Sequence, residues 1–141
     1  MRTTKYDKIK HVIYFSKPTL FSEKTTDDIL EISRKNNNKT NVTGALICRS
    51  DLYFQFLEGP IEAVEKTFQK IKLDTRHLEI NLVKEDKTTR RLFASWAMRH
   101  DPVHSWMWTR EQVQNGILSQ ITPAQAFATF ERLSREVDQF N

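Results

Sequence analysis

The chain has 141 residues, a length that corresponds to one folded domain around a single hydrophobic core. Apolar residues make up 38% of it and charged residues 28%, a globular composition, and no apolar run approaches the roughly 18 residues that would span a bilayer. The net charge of +4 is too small to indicate a nucleic-acid-binding face by itself.

Hydrophobic periodicity predicts five strands and, between them, two helices, in the order βαββαββ. Each predicted strand is a short run, rich in β-branched and aromatic residues, that alternates or is apolar on both faces, as buried strands are. The five runs are residues 11–16, 42–49, 52–57, 78–83 and 92–98.

Two helices are predicted between these strands. The first begins at a cap formed by Thr25 or Thr26 and ends in the polar asparagine run 36–38. The second begins at Pro60 and reaches about Leu73. The order predicts a ferredoxin-like α+β fold in which both helices cover one face of a mixed sheet.

The C-terminal region predicts a helical cap. Thr109 can cap a short helix that holds Val113, Ile117 and Leu118, and a second helix begins at Thr122 and Pro123. The apolar stripe of the second helix is Ala126, Phe130, Leu133 and Val137. Because both faces of the predicted sheet carry apolar side chains, we expect these helices to cover the face opposite the first two. Residues 1–100 and 101–141 are then two parts of one folded unit.

Several common functional classes are excluded by composition. Only three glycines occur, so neither a GxGxxG fingerprint nor a GxxxxGK phosphate loop can be assembled. The single cysteine, Cys48, cannot supply a zinc cage or a disulfide framework, and Pro102 interrupts the helix that would place His100 and His104 on one metal-binding face. We expect no metal and, without a signal peptide or a membrane segment, a cytoplasmic protein.

Strand parity brings unusual side chains to the helix-covered face, namely Tyr14, Gln55, Trp96 and Met98. An unpaired buried hydroxyl or amide costs about 1–3 kcal/mol, so the polar members of this set need partners. Either Tyr14 and Gln55 bond each other while the indole of Trp96 fills the core, or a polar ligand lies between the helices. Spacing alone leaves both alternatives open.

Five motifs in a fixed order resemble those of a known family. They are Tyr14 with Ser16; Asn36 and Asn37 ahead of Thr43 and Gly44; the run Phe-Gln-Phe-Leu-Glu-Gly at 54–59; Ile71 with residues 74–77; and residues 91–98. Together they resemble a BLUF domain, the blue-light sensor using flavin, over about residues 10–100. The resemblance implies a short stand-alone photoreceptor that is not an enzyme.

The resemblance also implies a flavin, usually FAD and alternatively FMN, between the two helices. Ile29 and Ile71 would sandwich its ring, Gln55 would bond N5 or O4, and Asn37 would bond the O4 and N3 edge. The polar positions near the ring and ribityl chain match Ser33, Asn36, Lys70 and Asp74, and a looser candidate for the phosphates is Arg76. Several relatives have an arginine at the position of Lys70. Lysine keeps the positive charge but cannot form the paired, bidentate hydrogen bonds of a guanidinium group.

In the family, light moves an electron and a proton from the tyrosine matched by Tyr14 through the glutamine matched by Gln55. Trp96 and Met98 share the face of Gln55 and are candidates to pass the signal onward. We expect an output in trans to a protein effector and a homo-oligomer, with no membrane partner. The alternative is an RNA-binding module, because ferredoxin-like sheets with exposed aromatics also stack bases. The missing RNP pattern and the helical cap argue against nucleic acid as a partner.

Overall fold

The computed structural model describes residues 8–19, 22–94, 97–104 and 106–140. The strands are β1 (Ile9–Pro18), β2 (Thr43–Arg49), β3 (Leu52–Pro60), β4 (His77–Thr88) and β5 (Arg99–Pro102). The helices are α1 (Glu23–Thr40), α2 (Ile61–Lys72), α3 (Arg110–Gln114) and α4 (Pro123–Phe140), with a 3₁₀ turn at Ile117–Ser119.

The strands form one mixed sheet in the order β4-β1-β3-β2-β5. All neighbouring pairs are antiparallel except β2 and β5, which are parallel. The predicted ferredoxin-like α+β fold is therefore confirmed. Register places Gln55 of β3 between Tyr14 of β1 and Leu46 of β2, at the centre of the sheet.

The ends of α1 differ from the prediction. The helix is capped by Ser22, whose hydroxyl accepts the Thr25 N–H at 3.0 Å, and not by Thr25 or Thr26. It also continues through the asparagine run to Thr40, and Asn41 ends it in the left-handed conformation with φ of 62°. Asparagine tolerates this conformation, so the cap lies beyond the asparagine run and not within it.

The predicted strand at residues 92–98 is wrong, because β5 begins at Arg99. The buried carboxylate of Glu58 accepts the backbone N–H of Leu92 at 2.8 Å and that of Phe93 at 2.7 Å. These two amides are therefore engaged by a side chain and take no part in a strand ladder.

The strand predicted at residues 78–83 ends too early, because β4 continues to Thr88. Lys84 pairs with Ile13 and Thr88 with Ile9 across the β1–β4 ladder. β4 lies at an edge of the described sheet, where the side chains of Glu85 to Lys87 remain exposed. A charged run at an edge strand is compatible with strand pairing because it needs no burial.

Each face of the sheet has its own core. α1 and α2 pack on the face that carries Tyr14 and Gln55. On the other face Phe130 of α4 contacts Phe54, with ring centroids 4.8 Å apart, and Phe56 at 5.4 Å. The expected cap over the second face is thus confirmed, although the side chain of Val137 lies outside the described residues.

The C-terminal elements begin as their caps predict. Thr109 forms a capping box with Gln112 at the start of α3. The short helix is interrupted at Gly116, which has φ of 84°, so Ile117 and Leu118 belong to the separate 3₁₀ turn. Among the described helices, none has the length and apolar content to cross a membrane.

Candidate functional site

Two adjoining cavities lie between α1 and α2 over the centre of the sheet. The outer one has a volume of about 260 Å³ and the inner one about 60 Å³. Every cofactor contact expected from the sequence lines at least one of them, namely Ile29, Ser33, Asn36, Asn37, Gln55, Lys70, Ile71, Asp74 and Arg76. A larger groove of about 540 Å³ lies elsewhere, beside α2 and β4, and contains neither Tyr14 nor Gln55.

Three buried side chains form a hydrogen-bonded series, and two of them, Tyr14 and Gln55, line the inner cavity. The Tyr14 hydroxyl donates a hydrogen bond to Gln55 Oε1, and Gln55 Nε2 donates to Met98 Sδ at 3.3 Å. A thioether sulfur only accepts, so Met98 favours the amide orientation in which nitrogen faces sulfur and oxygen faces the phenol. Burial raises the pKa of Tyr14, which keeps the phenol neutral.

The backbone around Met98 is held by α1. The buried side chain of Asn37 donates from Nδ2 to the Ala97 carbonyl at 2.8 Å, and Arg34 Nε donates to the Met98 carbonyl at 3.0 Å. Asn37 thus joins the cavity wall to the segment before β5. Arg34 carries no sequence signal for this role, and Trp96 lies outside the described residues.

Asp74 and Arg76, beyond the end of α2, form a forked ion pair. Arg76 donates from Nη2 to Asp74 Oδ2 at 2.5 Å and from Nε to Oδ1 at 2.9 Å. Hydrogen bonding to Arg76 lowers the pKa of Asp74, and the same contact raises the pKa of Arg76. Both residues line both cavities, but each charge is largely balanced by the other.

The lining fits the chemistry of a flavin. Ile29 and Ile71, from opposite helices, supply apolar surface for the two faces of an aromatic ring. Asn37 and Gln55 offer amide groups that both donate and accept, as the carbonyl and ring-nitrogen edge of such a ring requires.

Residues 9–99 match the family model described as "BLUF: Sensors of blue-light using FAD". The chain belongs to the BLUF family.

Named relatives agree with this assignment. The chain is 28% identical over 100 residues to the photoactivated adenylate cyclase subunit beta of Euglena longa, a match that covers 69% of this chain but only 12% of that protein. A bacterial light-regulated adenylyl cyclase structure has a TM-score of 0.66 and 32% identity, over 88% of this chain and 36% of that one. The dark-state structure of the BLUF protein BlrB has a TM-score of 0.71 over 93% and 98% of the two chains; its 24% identity shows the fold alone.

Two further polar residues that line the inner cavity, His77 and Tyr53, were not predicted as cofactor contacts. His77 Nε2 donates to the Ile71 carbonyl at 2.7 Å, because a carbonyl oxygen can only accept, and His77 Nδ1 forms a hydrogen bond with the Ser16 hydroxyl at 2.7 Å. His77 therefore ties α2 to β1. The other residue, Tyr53, has the same strand parity as Gln55, and that parity is the signal that could have identified it.

Proposed function

We propose that this chain is a blue-light receptor that binds oxidised FAD or FMN between α1 and α2 and responds to light through Tyr14 and Gln55. A BLUF domain is a photosensor and not an enzyme. The observation that carries the proposal is the hydrogen-bonded series of Tyr14 hydroxyl, Gln55 amide and Met98 thioether, in which Tyr14 and Gln55 line cavities whose side chains suit the chemistry of a flavin. When bound, the flavin supplies light absorption and oxidising power.

The proposed contacts follow the chemistry of the lining. Ile29 and Ile71 sandwich the ring, and Asn37 and Gln55 hold its polar edge. Further polar contacts to the ring edge, ribityl chain and phosphates come from Ser33, Asn36, Lys70, Asp74 and Arg76. Arg76 is already paired with Asp74, so only the guanidinium N–H groups that do not bond Asp74 can donate to a phosphate.

Tyr14 and Gln55 form the switch. Because its buried phenol is neutral and bonded to Gln55 Oε1, Tyr14 can release an electron and a proton together, with the amide as the first proton acceptor. A reversed amide would place its oxygen against the sulfur of Met98, with an acceptor facing an acceptor. This change disfavours the inward position of Met98 and favours the indole of Trp96, which is a donor.

The proposed output passes through β5 to α4. Met98 faces Gln55, while the next residue, Arg99, donates from Nη1 to the Leu133 carbonyl of α4 at 3.0 Å. A displacement of Met98 therefore acts on the contact between Arg99 and Leu133. Residues 1–100 act as the sensor and residues 101–141 as the cap, which meets a protein effector in trans or another copy in a homo-oligomer.

The RNA-binding alternative has less support. Phe54 and Phe56 are fully buried, and α4 covers the face that would have to stack bases. The aromatic side chains that would have to stack on bases, Phe54 and Phe56, therefore belong to the hydrophobic core.

The test is a light-minus-dark absorption spectrum of the purified protein loaded with FAD or FMN. The wild type should show a reversible red shift, and Tyr14→Phe and Gln55→Leu should each bind flavin but lose the shift. Tyr53→Phe is a matched control, because it removes a neighbouring phenol that does not bond Gln55. A protein that retains no flavin, or a Gln55→Leu variant with a normal shift, would contradict the proposal.

A further inference from the structure

A second phenol, that of Tyr53, lines the inner cavity together with Tyr14 and Gln55. Tyr53 lies two positions before Gln55 on β3, points to the same face, and is only 3% exposed. The rings of Tyr53 and Tyr14 both lie edge-on to His77, with centroid distances of 6.3 and 6.1 Å. Two oxidisable phenols therefore border the proposed flavin position.

The two hydroxyls have different surroundings. Tyr14 donates to the amide oxygen of Gln55, which itself lines both cavities. The Tyr53 hydroxyl interacts with Thr26 of α1; burial raises the pKa of Tyr53, and the Thr26 contact lowers it by a smaller amount. A threonine hydroxyl is a much weaker proton acceptor than an amide oxygen that is part of a relay.

We propose that Tyr53 is a second electron donor to the photoexcited flavin and that its electron returns without switching the protein. This inference rests on the proposed flavin binding. In the forward step Tyr53 loses one electron to the flavin, while the phenolic proton stays at Tyr53. In the return step the same electron restores Tyr53. No bond forms or breaks, the absorbed energy becomes heat, and Tyr53 lowers the yield of the switched state by competing with Tyr14.

The experiment compares flavin fluorescence lifetimes and switching quantum yields in flavin-loaded Tyr53→Phe, Tyr14→Phe and the double variant. Tyr14→Phe should remain strongly quenched, and the double variant should have a lifetime several-fold longer. Tyr53→Phe should raise the quantum yield and leave the size of the red shift unchanged. The control Trp108→Phe removes an oxidisable ring on the opposite face, where it contacts Phe54 at 5.2 Å, and should leave the lifetime unchanged.

Equal lifetimes in Tyr14→Phe and the double variant would overturn the inference, as would loss of the red shift in Tyr53→Phe. A wild type that binds no flavin or shows no shift contradicts the proposed function itself, and the inference falls with it. If the double variant does not retain flavin, transient absorption of Tyr14→Phe replaces the comparison. A short-lived radical cation of Tyr53, which keeps its phenolic proton, is then expected, and its absence would refute the role of Tyr53.

Discussion

Replacing Phe130 by alanine should weaken the packing of α4 and leave the flavin cavity intact. The Phe130 side chain is fully buried, and its ring centroid lies 4.8 Å from that of Phe54 and 5.4 Å from that of Phe56. Truncation of such a buried phenylalanine lowers the free energy of unfolding by about 3–5 kcal/mol. With an m-value of about 2 kcal/mol/M, the midpoint of urea unfolding should fall by about 2 M.

The assay is urea unfolding followed by far-ultraviolet circular dichroism, combined with hydrogen exchange across α4 and titration with flavin. Leu73→Ala is the control, because Leu73 is 83% exposed and its truncation should change the free energy of unfolding by no more than about 0.5 kcal/mol. A loss below about 1 kcal/mol for Phe130→Ala, with α4 exchange unchanged, would refute the structural role of the cap. A large loss of flavin affinity would refute the independence of the two faces.

Three further perturbations test the site and the cap. Asn37→Ala should weaken flavin retention by about 1–3 kcal/mol, measured by flavin titration, because it removes a buried amide; unchanged affinity would exclude a direct contact. Met98→Ala should keep the red shift but reduce light-dependent hydrogen exchange beyond residue 100, and an undiminished response would point to another route. Burial, and secondarily the charge of Lys84, lower the pKa of His11. The unfolded chain therefore binds this proton more tightly, and the free energy of unfolding should fall as the pH drops below about 6.5. His11→Phe should flatten that pH dependence in acid-denaturation curves, and an unaltered slope would exclude His11 as its source.

Local pattern was sufficient for much of the fold. The β2–β3 hairpin and α2 lie close to where the sequence predicts them, because strand alternation and helical spacing record which side chains become buried. Val64 and Phe68, for example, are both buried on one face of α2. The apolar stripe of α4 likewise predicted that this helix packs on an apolar surface, and α4 packs on the second face of the sheet.

Elements that depend on distant side chains were predicted less well. The apolar run at residues 92–98 resembles a strand, but Glu58 binds the amides of Leu92 and Phe93, so pairing starts only at Arg99. The competing hydrogen-bond acceptor lies more than thirty residues away along the chain. No local pattern contains that information.

In the candidate site too, local sequence pattern determined some features and tertiary packing determined others. The sequence by itself determined that Tyr14 and Gln55 face the helices, since side chains alternate along a strand, and the family resemblance added the flavin. Only the tertiary structure decided that Gln55 bonds Met98 and that Tyr53 borders the same cavity. A buried polar group takes its partner from whatever packing places within hydrogen-bonding distance, and that depends on how separate strands and helices meet in space and not on their order along the chain.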